Sequence, residues 1–101
     1  MRVLVTGATG FIGRHVMQAL ENAGHVPIGL DLTRGLIGAY GIIADITEPL
    51  RPIEGGIDAV IHLAALSHPR QCDENPGRAF DINVQGTHNV LKMALASGAK
   101  K

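Results

Sequence analysis

"VLVTGATGFIGRHVMQAL" (residues 3–20) joins a short apolar run to an amphipathic run through three evenly spaced glycines, Gly7, Gly10 and Gly13. The run Val3–Val5 is β-branched at both ends and is followed closely by Gly7, which predicts a short buried strand. The residues after Gly10 carry the apolar spacing of a helix. Glycines where a strand meets a helix indicate that some group must approach the backbone closely there.

Two helices are predicted from apolar spacing and from end signals. The first ends before Gly24, a common residue just past a helix. The second follows Asn75-Pro76, a capping side chain and a first-turn proline, and extends to about Ser97. The apolar face of the first helix is predicted to contain Ile12, Val16, Ala19, Leu20 and Ala23, and that of the second Phe80, Val84, Thr87, Leu91 and Ala94.

Three further apolar runs predict strands at residues 26–31, 41–45 and 58–65. Pro27 cannot donate a ladder hydrogen bond and is therefore placed at a strand start. Residues 33–41 are predicted to be a loop, and the link between the last two strands holds at most a brief helix. Because strands alternate with helices, we predict an α/β fold of the doubly wound Rossmann type, with a parallel sheet of about four strands in one domain over residues 1–101.

Composition and charge narrow the class of protein. Nine basic and nine acidic residues cancel, and they are scattered along the chain, so no nucleic-acid or membrane partner is predicted. No apolar run approaches the ~20 residues of a membrane span. Cys72 is the single cysteine and the histidines lack ligand spacing, so neither a disulfide nor a metal site is predicted. A cytoplasmic location is expected.

The glycines are interpreted as a cradle for a dinucleotide. A strand that turns directly into a helix presents free amides and the positive end of the helix dipole to a phosphate. Gly7 permits the tight turn, Gly10 lets a pyrophosphate approach the backbone, and Gly13 lets the helix pack on the strand. Phe11 and Ile12 open this helix and are included among the cofactor-binding residues. The G-x-x-G-x-x-G spacing is a variant of the dinucleotide fingerprint, and a turn needed only for packing stays an alternative.

Asp31 closes the second predicted strand, near the ~20-residue spacing from the glycines that is typical of the acidic residue on the adenosine ribose. A carboxylate accepts hydrogen bonds from both ribose hydroxyls and repels a 2′-phosphate. We therefore expect NAD rather than NADP as the cofactor. Arg34 follows closely and could accommodate the extra phosphate, but it is interpreted as a solvated loop cation.

Four ordered motifs resemble the extended short-chain dehydrogenase/reductase family, in its branch of NAD-dependent sugar-nucleotide epimerases and dehydratases. They are VTGATGFIG (5–13), DIT (45–47), VIHLAA (60–65) and NVQGTHNVL (83–91). The resemblance implies NAD as cofactor, a nucleotide-sugar or related small molecule as substrate, and transient hydride transfer. We also expect the longer protein to be a homodimer. The cofactor contacts that the resemblance implies are Asp45 and Ile46 beside the adenine, Leu63, Ala64 and Ala65 toward the nicotinamide ribose, and more weakly Ser67.

Asn83 matches the family asparagine that supports the active site from the helix after the fourth strand. The predicted apolar pattern places it on a buried helix face, where an unpaired amide costs about 1–3 kcal/mol, so it needs hydrogen-bond partners. We expect Asn83 to tie backbone segments together. By resemblance, it would also contact the cofactor region and hold a water near the catalytic groups.

The catalytic residues of that family are predicted to lie outside these 101 residues. The resemblance implies a Tyr-x-x-x-Lys pair and an upstream hydroxyl, yet Tyr40 is the only tyrosine and Ala44 stands four residues after it. The chain is therefore interpreted as the amino-terminal cofactor-binding portion of a longer enzyme, without its substrate domain and with no catalytic residue assigned. A non-catalytic NAD(P)-sensing protein of the same fold and an inactive structural fragment stay as alternatives.

Overall fold

The computed structural model describes residues 1–33 and 40–101. Its four strands are parallel and adjacent in the order β3-β2-β1-β4. Arg34 and most of the loop predicted at 33–41 lie outside the described residues. The strands are β1 (Arg2–Thr6), β2 (Val26–Asp31), β3 (Gly41–Ile43) and β4 (Ala59–His62).

Helical segments follow β1 and β4. The amide of Gly24, at a φ of +85°, donates to the carbonyl of Glu21 just past the first helix, which confirms the predicted stop. The predicted second helix is present but contains one wide turn, where the amide of Gly86 donates to the carbonyl of Asp81, five residues back. The segments are α1 (Phe11–Asn22), α2 (Pro69–Glu74), α3 (Pro76–Phe80), a π-helical turn (Asp81–Gln85) and α4 (Gly86–Ala96).

The two faces of the sheet carry separate apolar clusters, which confirms the doubly wound α/β class. Side chains alternate across a strand, so Leu4 of β1 points to one face and Val3 and Val5 to the other. The Leu4 face packs against α4 through Val90 and Met93. The opposite face packs against α1, whose buried residues are Gly13 and Met17. Among the described residues, no helix is long and apolar enough to cross a membrane.

The glycine turn brings α1, β1 and the end of β4 into backbone contact. Gly7 has a φ of +69°, and a Cβ there would lie 2.9 Å from the amide nitrogen of Ala64. A Cβ on Gly13 would overlap the carbonyl oxygen of Gly7. Packing therefore requires glycine at both positions, and the positive φ requires it at Gly7 as well.

The predicted helix faces are wrong in part. On α1, Ile12 and Ala19 are exposed, whereas Met17, which the prediction left out, is buried. On the second helix, Phe80, Val84 and Leu91 are exposed. This helix carries two apolar stripes, and periodicity alone cannot choose between them. Close approach of Gly86 to Ile46 selects the buried one, which consists of Gly86, Val90, Met93 and Ala94.

Strand lengths and one helix also differ from the prediction. β3 ends at Ile43 rather than at residue 45, and β4 ends at His62 rather than at residue 65. Beyond His62, the amides of Leu63 and Ala64 turn toward the hydroxyl of Thr6. α2 was not predicted, although Pro69 stands at its first position, where proline favours helix initiation.

We expect Gly13→Ala to lower the free energy of unfolding by about 1–3 kcal/mol, since the added methyl overlaps a backbone carbonyl that cannot move freely. Gly77→Ala is the matched control, because a Cβ on Gly77 would meet no atom within 4 Å. Chemical denaturation of both variants measures the difference. Equal stability of the two variants would contradict the tight contact between α1 and the glycine turn.

Candidate functional site

A cleft of about 390 Å³ lies at the carboxyl ends of the strands, where ligands bind in open α/β sheets. It brings together most of the residues predicted as cofactor contacts, from four separate parts of the chain. These are Gly7 and Gly10 after β1, Asp31 at the end of β2, Asp45 and Ile46 after β3, and Leu63, Ala64 and Ala65 after β4.

The other predicted contacts lie beside this cleft or away from it. Phe11, Ile12 and Gly13 form the first turn of α1 next to Gly10, and the side chains of Phe11 and Ile12 are 73% and 61% exposed. Only their backbone is therefore suited to hold a ligand in the cleft. Ser67 and Asn83 are not among the residues that line it.

The start of α1 presents backbone donors beside the cleft. The first intrahelical bond is donated by the amide of Arg14 to the carbonyl of Gly10, and the amide of Gly10 itself bonds to Gly7. Among the described residues, the amides of Phe11, Ile12 and Gly13 have no backbone acceptor outside the helix. Three free amides and the helix dipole fit a pyrophosphate, and the missing side chain at Gly10 leaves room for it.

Asp31 is engaged with the glycine turn. Its Oδ2 accepts hydrogen bonds from the amide of Thr9 at 3.0 Å and from the Thr9 hydroxyl at 2.7 Å. Its Oδ1 accepts from the amide of Leu32 at 2.8 Å. Since a carboxylate offers about four acceptor positions, one is left, on Oδ1. Asp31 therefore joins β2 to the glycine turn and retains capacity for a single ligand hydroxyl.

Asp45 has a similar arrangement one strand further along the sheet. Its Oδ1 accepts from the hydroxyl of Thr47 at 2.7 Å and from the amide of Thr47 at 2.9 Å. Both bonds favour the ionised form and lower the pKa of the Asp45 carboxyl, with a smaller contribution from the charge of Arg78. The other carboxylate oxygen accepts no hydrogen bond from a described residue and is free to accept one from a ligand.

Asn83 uses its side-chain amide on the backbone of the loop after β4. Its Oδ1 accepts from the amide of Leu66 at 2.7 Å, and its Nδ2 donates to the carbonyl of Leu66 at 2.8 Å. The prediction that Asn83 needs hydrogen-bond partners is confirmed, but the predicted buried position is wrong, because the residue is exposed. Its part in cofactor binding or catalysis stays a prediction.

A chain of hydroxyl and imidazole groups lies beneath the β4 wall of the cleft. The Thr6 hydroxyl contacts Nδ1 of His62 at 2.6 Å, and Nε2 of His62 contacts the Thr87 hydroxyl at 3.0 Å. Burial lowers the pKa of the His62 imidazole. His62 therefore has two hydrogen-bond partners, one at each ring nitrogen.

Several cleft residues were missed by sequence reasoning. Thr9 and Arg78 are the informative ones: Thr9 holds Asp31, and Arg78 brings a positive charge to the described part of the lining. A hydroxyl inside the glycine turn was a visible signal for Thr9, whereas Arg78 reaches the cleft only because α3 follows the loop after β4. No group of three metal-binding side chains is found within residues 1–33 and 40–101. The further lining residues are Leu30, Leu32, Ala44, Leu66 and Ile82.

Comparison with known proteins gives relatives over the full chain. The UDP-glucose 4-epimerase of Halalkalibacterium halodurans is 34% identical, and the match covers 100% of this chain and 33% of the relative. The 3-beta-hydroxysteroid dehydrogenase of Mycolicibacterium neoaurum is 30% identical over 99% of this chain and 30% of the relative. This chain therefore spans about a third of the length of the relatives it matches.

A solved structure has the same fold over this length. The UDP-glucose-4-epimerase of Stenotrophomonas maltophila, with bound NAD and formylated UDP-arabinopyranose, matches with a TM-score of 0.83 and 30% identity. The match covers 98% of this chain and 34% of that one. The sequence also matches the NAD dependent epimerase/dehydratase family over residues 3–101. Because that match covers almost the whole chain, including every strand end that forms the cleft, the chain belongs to the NAD-dependent epimerase/dehydratase family.

Proposed function

We propose that this chain is the NAD-binding portion of an epimerase or dehydratase that acts on a nucleotide-sugar. The observation that carries the proposal is the glycine turn, which directs the free amides at the start of α1 toward a cleft whose walls come from all four strand ends. Bound NAD would supply hydride transfer, and this chain would bind and orient it. The pyrophosphate would lie over Gly10 and the first amides of α1.

The adenosine half would lie toward β2 and β3. The remaining acceptor position on Asp31 suits a ribose hydroxyl, and its charge disfavours the 2′-phosphate of NADP. The free oxygen of Asp45 suits the amino group of the adenine, since a carboxylate accepts from an exocyclic N–H. The small side chains of Ala64 and Ala65 leave room for the nicotinamide half at the end of β4.

Proton transfer and substrate binding are proposed to depend on residues outside these 101. The chain has no Tyr-x-x-x-Lys, and Tyr40 precedes β3 with its side chain 61% exposed. The nucleotide-sugar is proposed from the epimerase relatives, and a hydroxysteroid is the competing substrate class, because a hydroxysteroid dehydrogenase is similarly related. A homodimeric longer protein and a cytoplasmic location also belong to this proposal.

We expect this chain to bind NAD more tightly than NADP. Asp31→Ala should weaken NAD binding by about 1–3 kcal/mol, the range for a lost hydrogen bond to a charged group, and should reduce the discrimination against NADP. Isothermal titration of both cofactors measures the two effects. Equal affinity of the unmutated chain for NAD and NADP would contradict the assignment.

Two control variants separate ligand contact from damage to the turn. Thr9→Val removes the hydroxyl that holds Asp31 but leaves the carboxylate, so it should retain the preference for NAD. Gly10→Val should abolish NAD binding and leave the circular dichroism spectrum unchanged, because the nearest atom to a Cβ there is the Gly7 carbonyl oxygen at 3.2 Å. Unfolding by Gly10→Val would indicate a turn that serves packing alone.

We expect Thr47→Val to raise the pKa of the Asp45 carboxyl, because the hydroxyl of Thr47 is the largest cause of its lowering. A carboxyl with a lowered pKa stabilises the fold above its ordinary pKa and loses that contribution as the pH falls through the folded value. The variant should therefore lose this stabilisation at a higher pH than the parent chain. Carboxyl ¹³C titration by NMR measures the shift, with Thr47→Ser as control. An unchanged pKa in Thr47→Val would show that the hydroxyl is not the cause.

We expect no turnover when the purified chain is incubated with NAD and a panel of nucleotide-sugars. The described residues that line the cleft directly after β4, Leu63, Ala64 and Ala65, carry no acid or base, and general acid–base catalysis typically contributes 10²–10⁴-fold. Absorbance of reduced cofactor and mass spectrometry of the sugars measure this. Turnover that disappears in Tyr40→Phe would show that the catalytic centre lies within this chain.

A further inference from the structure

The hydrogen bonds that link Thr6, His62 and Thr87 beneath the β4 wall determine which nitrogen of His62 carries a proton. The hydroxyl of Thr87 lies 2.6 Å from the carbonyl oxygen of Asn83, which can only accept, so the Thr87 proton is donated there. Thr87 Oγ1 must then accept from Nε2 of His62, at 3.0 Å. His62 therefore carries its proton on Nε2.

The same reasoning orients the hydroxyl of Thr6. With the proton on Nε2, Nδ1 of the neutral imidazole is an acceptor, so the Thr6 hydroxyl donates to it at 2.6 Å. Both lone pairs of Thr6 Oγ1 then face the chain after β4. They accept from the amides of Leu63 at 3.1 Å and Ala64 at 3.2 Å, and the Leu63 amide is shared with the Thr6 backbone carbonyl at 3.2 Å. The one donor and two acceptor positions of the Thr6 hydroxyl are all used.

Leu63 and Ala64 line the cleft beside the glycine turn. A Cβ on Gly7 would lie 2.9 Å from the amide nitrogen of Ala64 and 3.0 Å from the carbonyl carbon of Leu63. A displacement of this peptide therefore moves both the contact with Gly7 and the part of the cleft lining at the end of β4. Its amides depend on the orientation of Thr6, which depends in turn on the protonation of His62.

We propose that His62, as its neutral Nε2–H tautomer, is a positioning residue for the cofactor cleft, because it directs the Thr6 hydroxyl to hold the Leu63–Ala64 peptide against the glycine turn. The proposal rests on the proposed NAD-binding function. His62 itself does not line the cleft and acts through Thr6.

Protonation of His62 is incompatible with this arrangement. A proton on Nδ1 would require Thr6 Oγ1 to accept a third hydrogen bond, so one of its two bonds to the amides of Leu63 and Ala64 would break. The Leu63 amide would retain the Thr6 carbonyl, whereas the Ala64 amide has the hydroxyl as its acceptor. Within residues 1–33 and 40–101, no charged side chain hydrogen-bonds to the ring, and both of its partners are threonine hydroxyls. The titratable residues on the elements that supply these partners, and on β4 and its flanks, are Arg2, Asp58, Asp81, His88, Lys92, Lys100 and Lys101.

The sign of the pH dependence follows from burial, which lowers the pKa of His62 in the fold. The unfolded chain then binds the extra proton more readily, so stability decreases as the pH falls from the ordinary histidine pKa toward the folded value. NAD affinity should be constant above the His62 pKa. Below it, affinity should fall about tenfold per pH unit if only the neutral form binds.

Two substitutions test the two nitrogens separately. His62→Asn places an amide oxygen near the position of Nδ1 and can accept from Thr6 without titrating. His62→Gln places an amide nitrogen near the position of Nε2 and retains only the contact with Thr87. His88→Asn is the matched control, because His88 is exposed on α4, next to Thr87 in the sequence.

The experiment measures NAD affinity of the 101-residue chain and its variants by calorimetry between pH 5 and pH 8, together with imidazole ¹⁵N shifts of the parent chain. We expect an Nε2–H signature at neutral pH, a flat pH profile with retained affinity in His62→Asn, and weaker binding at every pH in His62→Gln. His88→Asn should match the parent. An Nδ1–H signature, or an unchanged acid slope in His62→Asn, would overturn the proposal. Absence of NAD binding with the expected ¹⁵N signature would instead refute the proposed function.

Discussion

The contact between α1 and the glycine turn is the constraint on which the rest of the structure depends. The backbone at Gly13 meets the carbonyl of Gly7, and Gly7 in turn meets the peptide between Leu63 and Ala64. A helix, a central strand and the end of a neighbouring strand thus approach at backbone distance, with no side chain between them. This contact sets the position of the free amides of α1 and the width of the cleft, so packing and ligand binding cannot be separated at Gly7 and Gly13. At Gly10, a Cβ would meet only the Gly7 carbonyl oxygen, at 3.2 Å. Gly10 is therefore the position at which a substitution can separate ligand binding from packing.

The two carboxylates of the cleft have the same hydrogen-bond arrangement. Asp31 and Asp45 each end or follow a strand, and each receives the amide and the hydroxyl of a single threonine on one carboxylate oxygen. That oxygen is occupied by the protein, and the other retains acceptor capacity for a ligand. Each carboxylate is thereby held in a defined orientation before any ligand binds, which lowers the entropy cost of binding. The charge that remains on the pair is compatible with ribose hydroxyls and an adenine amino group, and disfavours an additional phosphate.

The resemblance and the local patterns together predicted most of the cleft. The four motifs lie at the carboxyl ends of parallel strands, and such ends meet at one edge of the sheet whatever the details of side-chain packing. Predictions failed where the buried face of a helix or the end of a strand depended on residues far away in the sequence. The buried face of α4 was misplaced because both of its stripes are apolar, and the position of Ile46, 40 residues away from Gly86, decides between them. β4 was predicted too long because the amide of Ala64 bonds to the hydroxyl of Thr6 instead of a strand carbonyl, and the amide of Leu63 is shared between that hydroxyl and the Thr6 carbonyl.

Alternating strands and helices, the glycine turn and the acidic residues at strand ends were determined by the sequence itself, since they depend on local periodicity and on backbone conformations that only glycine adopts readily. The tertiary structure alone decided which partners the polar side chains take. Thr6 and His62 are 56 residues apart and meet only because β1 and β4 are adjacent in the sheet. Asn83 pairs with Leu66 across a loop, and Arg78 reaches the cleft only through the path of α3. Hydrogen bonds of this kind are specified by distance in space, which no periodicity along the chain encodes.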